Sequence, residues 1–205
     1  MRSIELTFDE ETESAVRADW RALAGAGLPS LARHSGPTNR PHLTLAAGDD
    51  LARGSSVGPE PPGLFRGGAT PGVPLGPPDC EPAEAVEEAA VPPVDVALQG
   101  AFDTLPLPLR TSGLVVFGAP PRGLVLARLV TITRELLDLH SVVHGLAWGA
   151  LPLTLPGRWT PHVTLALRLT PEQLAAALPL LGAHLDGSAV AARLWDSGPK
   201  AVVAL

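Results

Sequence analysis

The chain has 205 residues, 45% of them hydrophobic, with 23 prolines, 21 glycines and a formal net charge of −6. That is enough apolar material for one core, and no apolar run reaches the ~20 residues that a membrane-spanning helix needs. The single cysteine, Cys80, excludes an intrachain disulfide and any multi-cysteine metal site. The N-terminal stretch "MRSIELTFDEETE" turns acidic early and has no apolar signal region, so a cytoplasmic, non-membrane protein is expected.

In "SIELTF" (3–8), Ile4, Leu6 and Phe8 alternate with Ser3, Glu5 and Thr7, which predicts a strand. Asp9 offers an N-cap and acidic residues follow it, as the first turn of a helix prefers. Val16, Trp20, Leu23 and Ala24 fall at helical spacing, so residues 10–25 are expected as an amphipathic helix ended by Gly25 and Gly27. A short loop leads to "PHLTLA" (41–46), which reads as a half-buried strand.

Residues 49–95 differ in kind. They hold ten prolines and seven glycines, above the roughly 25–30% Pro plus Gly of low-complexity chain. Nine acids stand there against Arg53 and Arg66, so this segment carries −7 of the total −6 and the remainder is left at +1. It is read as a disordered surface insertion in a single domain spanning 1–205, with one or two helical turns allowed at 83–91.

Beyond it, "VDVALQGAFDTL" suggests a short helix. "LPLPLRTSGLVVFG" suggests extended chain ending in a strand at Leu114–Phe117, and "LVLARLV" (124–130) a further strand. Residues 133–147 read as a helix begun by Thr131 or Thr133. "LPGRW" breaks it, and a strand is expected over 162–168. Thr170-Pro171-Glu172-Gln173 has the makings of a full capping box with proline at N1, starting a helix to about Leu181. "AVAARLW" and "KAVVAL" close the chain as two strands.

The strand at 162–168 repeats the earlier one. "PHVTLA" (161–166) matches "PHLTLA" at five of six positions, 120 residues on. Each copy follows a strand and a helix, which suggests an internal duplication. On a strand, His42 and Thr44 share one face about 6–7 Å apart, as do His162 and Thr164, while Leu43, Leu45, Val163 and Leu165 face the other way. Alternation explains the apolar positions. It does not explain why both polar positions keep the same two residue types, whereas a shared site does. Histidine titrates nearest neutrality, so a facing pair can take a proton from an attacking oxygen and give one to a departing oxygen. The two threonine hydroxyls can donate to the non-bridging oxygens of a phosphodiester.

Paired His-x-Thr motifs on strands of two similar halves resemble the 2H phosphoesterase superfamily, in particular its bacterial 2′-5′ RNA ligase, or RNA 2′,3′-cyclic phosphodiesterase, branch. The likeness covers 1–48 and 96–205 and leaves out the insertion. It implies an α+β, two-lobed pseudo-symmetric fold, each lobe a small antiparallel sheet flanked by helices, with the active-site cleft between them. It implies cofactor-free and metal-independent hydrolysis of 2′,3′-cyclic phosphates of RNA ends or nucleotides, and in some members 2′-5′ joining of RNA ends. His42 and His162 match the family's proton donor and acceptor, and Thr44 and Thr164 its phosphate-binding threonines. The residues themselves leave open which histidine is acid and which is base.

Four further side chains are candidates for substrate contact. Arg40 and Arg158 precede the motifs and are placed to line the cleft entrance, with plain surface as the alternative. Arg168 shares the face of His162 if the strand stays regular. Trp159 offers a stacking surface for a base, or else packs between the lobes. His140 and His144 have metal-ligand spacing but no third ligand nearby, and packing is the better reading of them. His34 and His184 are expected to be exposed. A monomer acting on a small or short substrate is expected, and the alternative is a non-catalytic nucleotide or RNA-end binding module of the same fold.

Overall fold

The computed structural model describes residues 1–51 and 94–205, apart from 35, 37, 119, 120 and 183. The alternating "SIELTF" forms β1 (Arg2–Phe8), and α1 (Glu10–Gly25) follows it. Asp9 caps α1 by accepting from the Thr12 amide, and the helix buries Val16, Trp20 and Leu23. Then come β2 (His42–Gly48), α2 (Val94–Ala101), β3 (Leu107–Gly118), β4 (Leu124–Val130), α3 (Arg134–Leu146), β5 (His162–Leu169), α4 (Pro171–Ala177), β6 (Leu185–Asp196) and β7 (Ala201–Ala204). The fold is mixed α and β, with a seven-stranded antiparallel sheet and four helices among the described residues.

The sheet runs in the order β2-β1-β6-β3-β4-β5, and β7 also pairs with β6. Two long strands change partners along their length. In β6, Ala189–Asp196 pair with β1, Leu185–Ala189 with β3, and Arg193–Asp196 with β7 on the remaining edge. In β3, Leu107–Thr111 pair with β6 and Thr111–Gly118 with β4. The strand expected at 114–117 therefore begins seven residues earlier. Pro106 and Pro108 hid it, because proline lacks the N–H that a strand bonded on both sides needs. Pro108 lies where β3 has only β6 beside it.

At the two ends of the segment 49–95, Leu51 is fully buried and α2 begins at Val94. Cys80 and the helical turns considered at 83–91 lie outside the described residues. The capping box at Thr170 forms completely, with the Thr170 hydroxyl and the Gln173 side chain each accepting from the other's amide. α4 stops at Ala177 rather than near Leu181. Pro179 cannot donate the next helical hydrogen bond, and the chain continues as a 3₁₀ turn over Leu178–Leu180.

Both motif strands depart from regular alternation at the same place. Glu5 pairs with Thr44 and Ile4 with Ala46, so Leu45 is an extra residue in β2. Ala127 pairs with Thr164 and Leu126 with Ala166, so Leu165 is the extra residue in β5. A bulge of this kind turns two successive side chains towards one side. Leu45, Ala46, Leu165 and Ala166 are all fully buried. The repeated "LA" after each threonine is the sequence trace of these bulges.

Candidate active site

β2 and β5 are the two ends of the sheet path, and they contact each other. A tryptophan from across the sequence holds each one. Trp20 of α1 donates its indole N–H to the carbonyl of Thr164, 3.1 Å away. Trp159, just ahead of β5, donates to the carbonyl of Thr44, 2.9 Å away. An end strand leaves backbone acceptors unpaired, and these indoles satisfy one on each strand.

The histidine rings are fixed in the same manner. His42 Nδ1 lies 2.8 Å from the carbonyl of Arg40, and His162 Nδ1 lies 2.7 Å from the carbonyl of Thr160. A carbonyl only accepts, so each Nδ1 carries the hydrogen and the Nε2 of each neutral ring is left as an acceptor. The intervening prolines, Pro41 and Pro161, hold the preceding residue extended and so help to present that carbonyl. This gives the proline of the repeat a second task besides opening the strand. His42, Thr44, His162 and Thr164 are all half-buried, and among the described residues neither threonine hydroxyl has a hydrogen-bond partner.

The surroundings of the two rings differ. Beside His42, Glu5 Oε1 lies 3.7 Å from Nε2, an ion pair when the ring carries both protons. Glu5 is only 3% exposed. Its carboxylate accepts from the Ser3 hydroxyl at 2.5 Å and from Arg193 Nε at 2.8 Å, and Arg193 also donates to the carbonyl of Thr38. Burying a carboxylate is costly unless it is paired and hydrogen-bonded, and this network meets that condition. At the corresponding register position beside Thr164 stands Ala127. His162 instead packs against the Phe117 ring, 4.7 Å between centroids. Burial pushes the His162 imidazole below its ordinary value. The bond to Thr160 opposes that fall, and the charge of His42 adds to it.

The remaining candidates separate. Arg40 points its guanidinium at Glu13, with Nε 2.9 Å from Oε2, while its carbonyl fixes His42. Arg158 is exposed and makes no ion pair among the described residues. Arg168 does not follow the alternation that placed it beside His162. β5 has the bulge at Leu165 and a second irregularity between Ala166 and Leu169, where Arg168 adopts a φ of 60° and is exposed. Trp159 is committed to packing on two counts. Its N–H holds Thr44, and its face stacks on His140 with centroids 4.0 Å apart and planes at 10°.

His140 is fully buried and bonds the carbonyl of Thr154 at 2.9 Å, while His144 bonds the carbonyl of Leu45 at 3.2 Å. Burial is the main reason that the pKa of His140 is lowered. His144 thereby holds the carbonyl of the bulge residue Leu45, and His140 packs against the His144 ring with centroids 4.4 Å apart. His34 and His184 are exposed.

Glu5, Arg193 and Phe117 carry no motif that marks them in the sequence. Ser3, Glu5 and Thr7 are the polar positions of the β1 alternation, yet all three are buried. A carboxylate between Ile4 and Leu6, at the centre of the strand, is the available signal. The chain matches no family model, and no curated protein matches it. Among the described residues no helix is long and apolar enough to cross a membrane.

Proposed function

We propose that this chain is a metal-independent phosphodiesterase of the 2H phosphoesterase type, which opens 2′,3′-cyclic phosphates of RNA ends or nucleotides. The observation that carries the reading is the doubled histidine geometry: two rings on touching strands, each with Nδ1 tied to the carbonyl two residues back and Nε2 left for proton transfer. In this reading β6 is the shared spine of two lobes, β2-β1-β6-β7 and β5-β4-β3-β6, and the substrate phosphate lies in the cleft where β2 and β5 meet. Thr44 and Thr164 donate to its two non-bridging oxygens. His162, kept neutral by burial, takes the proton of the attacking water. His42, with Glu5 beside its Nε2, protonates the departing ribose oxygen. The P–O bond to water forms as the P–O bond to the ribose breaks, and one phosphomonoester results.

The test is a panel of cyclic phosphodiesters assayed with and without EDTA, with the product phosphate located at the 2′ or 3′ oxygen. Turnover is expected to survive EDTA and to fall at least ~10³-fold in His42→Ala and in His162→Ala, the scale of general acid–base contributions. Absence of turnover across the panel, or turnover indifferent to both substitutions, would overturn the reading. In that event tight nucleotide binding without turnover would point to a binding module.

A further inference from the structure

A groove of about 310 Å³ lies on the His42 side of the sheet. It is lined by the exposed Ala191, Val202 and Ala204, together with Thr7, Arg40 and Arg193. Register joins it to the site. Thr7 stands opposite His42 on one side and Ala191 on the other, while Arg193 and Trp195 stand opposite Ala204 and Val202. The groove thus starts one strand from the catalytic ring and runs across β6 onto β7. Its size is at the lower end of small-molecule sites, and an apolar lining with a few polar groups is their usual make-up.

Opening a cyclic phosphate is not symmetric in space. One side of the phosphorus must admit a water molecule; the other must hold the whole sugar that carries the departing oxygen. If His42 is the acid, the sugar lies on its side, where the groove is. His162 has the Phe117 ring against it, and its side needs room only for water. Charge narrows the occupant further. Arg40 is paired with Glu13 and Arg193 with Glu5, so the four side chains sum to zero. A second phosphate would find no unneutralised cation there, whereas an uncharged sugar and base would find apolar side chains and a few hydrogen-bonding groups.

We propose that this groove is the subsite for the nucleoside portion of a 2′,3′-cyclic phosphate. The proposal rests on the phosphodiesterase reading and adds the part of the substrate that the protein recognises. Two substrates with the same five-membered cyclic phosphate test it: a nucleoside 2′,3′-cyclic phosphate and glycerol 1,2-cyclic phosphate. Ala191→Leu and Ala204→Leu each fill the groove from a position that touches neither histidine. The preference for the nucleoside substrate, as a ratio of kcat/KM values, is expected to fall by about 10-fold or more in each variant, mainly through KM. A preference equal to that of the parent in both variants overturns the proposal. If the parent protein turns over neither substrate, the phosphodiesterase reading fails on its own, and calorimetry with a nucleoside 2′-monophosphate decides the groove. Binding weakened by about 10-fold in the variants supports it; binding that is absent or indifferent to them overturns it.

Discussion

The two histidines carry the same ring orientation into different surroundings, and the difference sits one register position away. Glu5 lies opposite Thr44, and Ala127 lies opposite Thr164. A carboxylate beside one ring and an apolar neighbourhood around the other break the symmetry that the repeat would impose. Phe117 is the residue through which this can be measured. Burial lowers the pKa of His162, so the ring is neutral at pH 7 and, in the proposed role of base, stays unprotonated to a pH below the ordinary histidine value of ~6.5. Phe117→Ala opens the ring to water, relieves the desolvation and raises that pKa. The acid limb of kcat/KM against pH is therefore expected to move to higher pH, measured from about pH 4.5 to 8.5. An acid limb that stays in place would remove Phe117 from this role. At this scale the four motif residues were legible because they are repeated. Glu5 was not, since a polar face on a central strand looks the same in sequence as one facing water.

The elements show why the motif strands stay in place although they end the sheet. Each is bulged after its threonine, and each has a carbonyl taken by an indole N–H. For β2 there is more: His144 on the carbonyl of Leu45, and the amide of Leu151 on the carbonyl of Ala47 at 2.7 Å. Gly48 completes that contact, because a Cβ there would collide with the carbonyl of Gly149. Trp159→Phe keeps an aromatic ring over His140 but leaves the carbonyl of Thr44 without its donor. A loss of about 1–3 kcal/mol in urea denaturation is expected, the cost of an unsatisfied buried polar group. A lower kcat should accompany it, as Thr44 loses its fixed position. Unchanged stability would show that water replaces the indole. Helix starts at this scale were plain, since Asp9 and the Thr170 box act on their own next turn. The bulges and the partner changes of β3 and β6 were not, because they depend on strands distant in sequence.

For the molecule as a whole, the division of charge is the governing fact. The segment 49–95 holds −7, and what remains is near neutral at +1. Every residue given a role in catalysis lies within the described residues on either side of 52–93. Replacing residues 54–91 by a Gly-Ser linker of about 12 residues, ~20 Å in root-mean-square span, is expected to leave kcat/KM for cyclic phosphates within about 3-fold. A loss beyond 10-fold would give that segment a part in the reaction. The order of strands and helices along the chain could be read in advance, because each reports its own periodicity. The single sheet path could not, since it depends on β6 serving three neighbours.

The paired tryptophans have a consequence for inheritance. Trp20 comes from the first third of the chain and steadies the second motif; Trp159 comes from the last third and steadies the first. Neither motif brings its own brace. A hybrid that joined residues 1–51 of this chain to the C-terminal part of a divergent relative would keep both histidine motifs intact, yet each would rest on a support shaped for another strand. The crossed braces bind the two copies of the motif to change together.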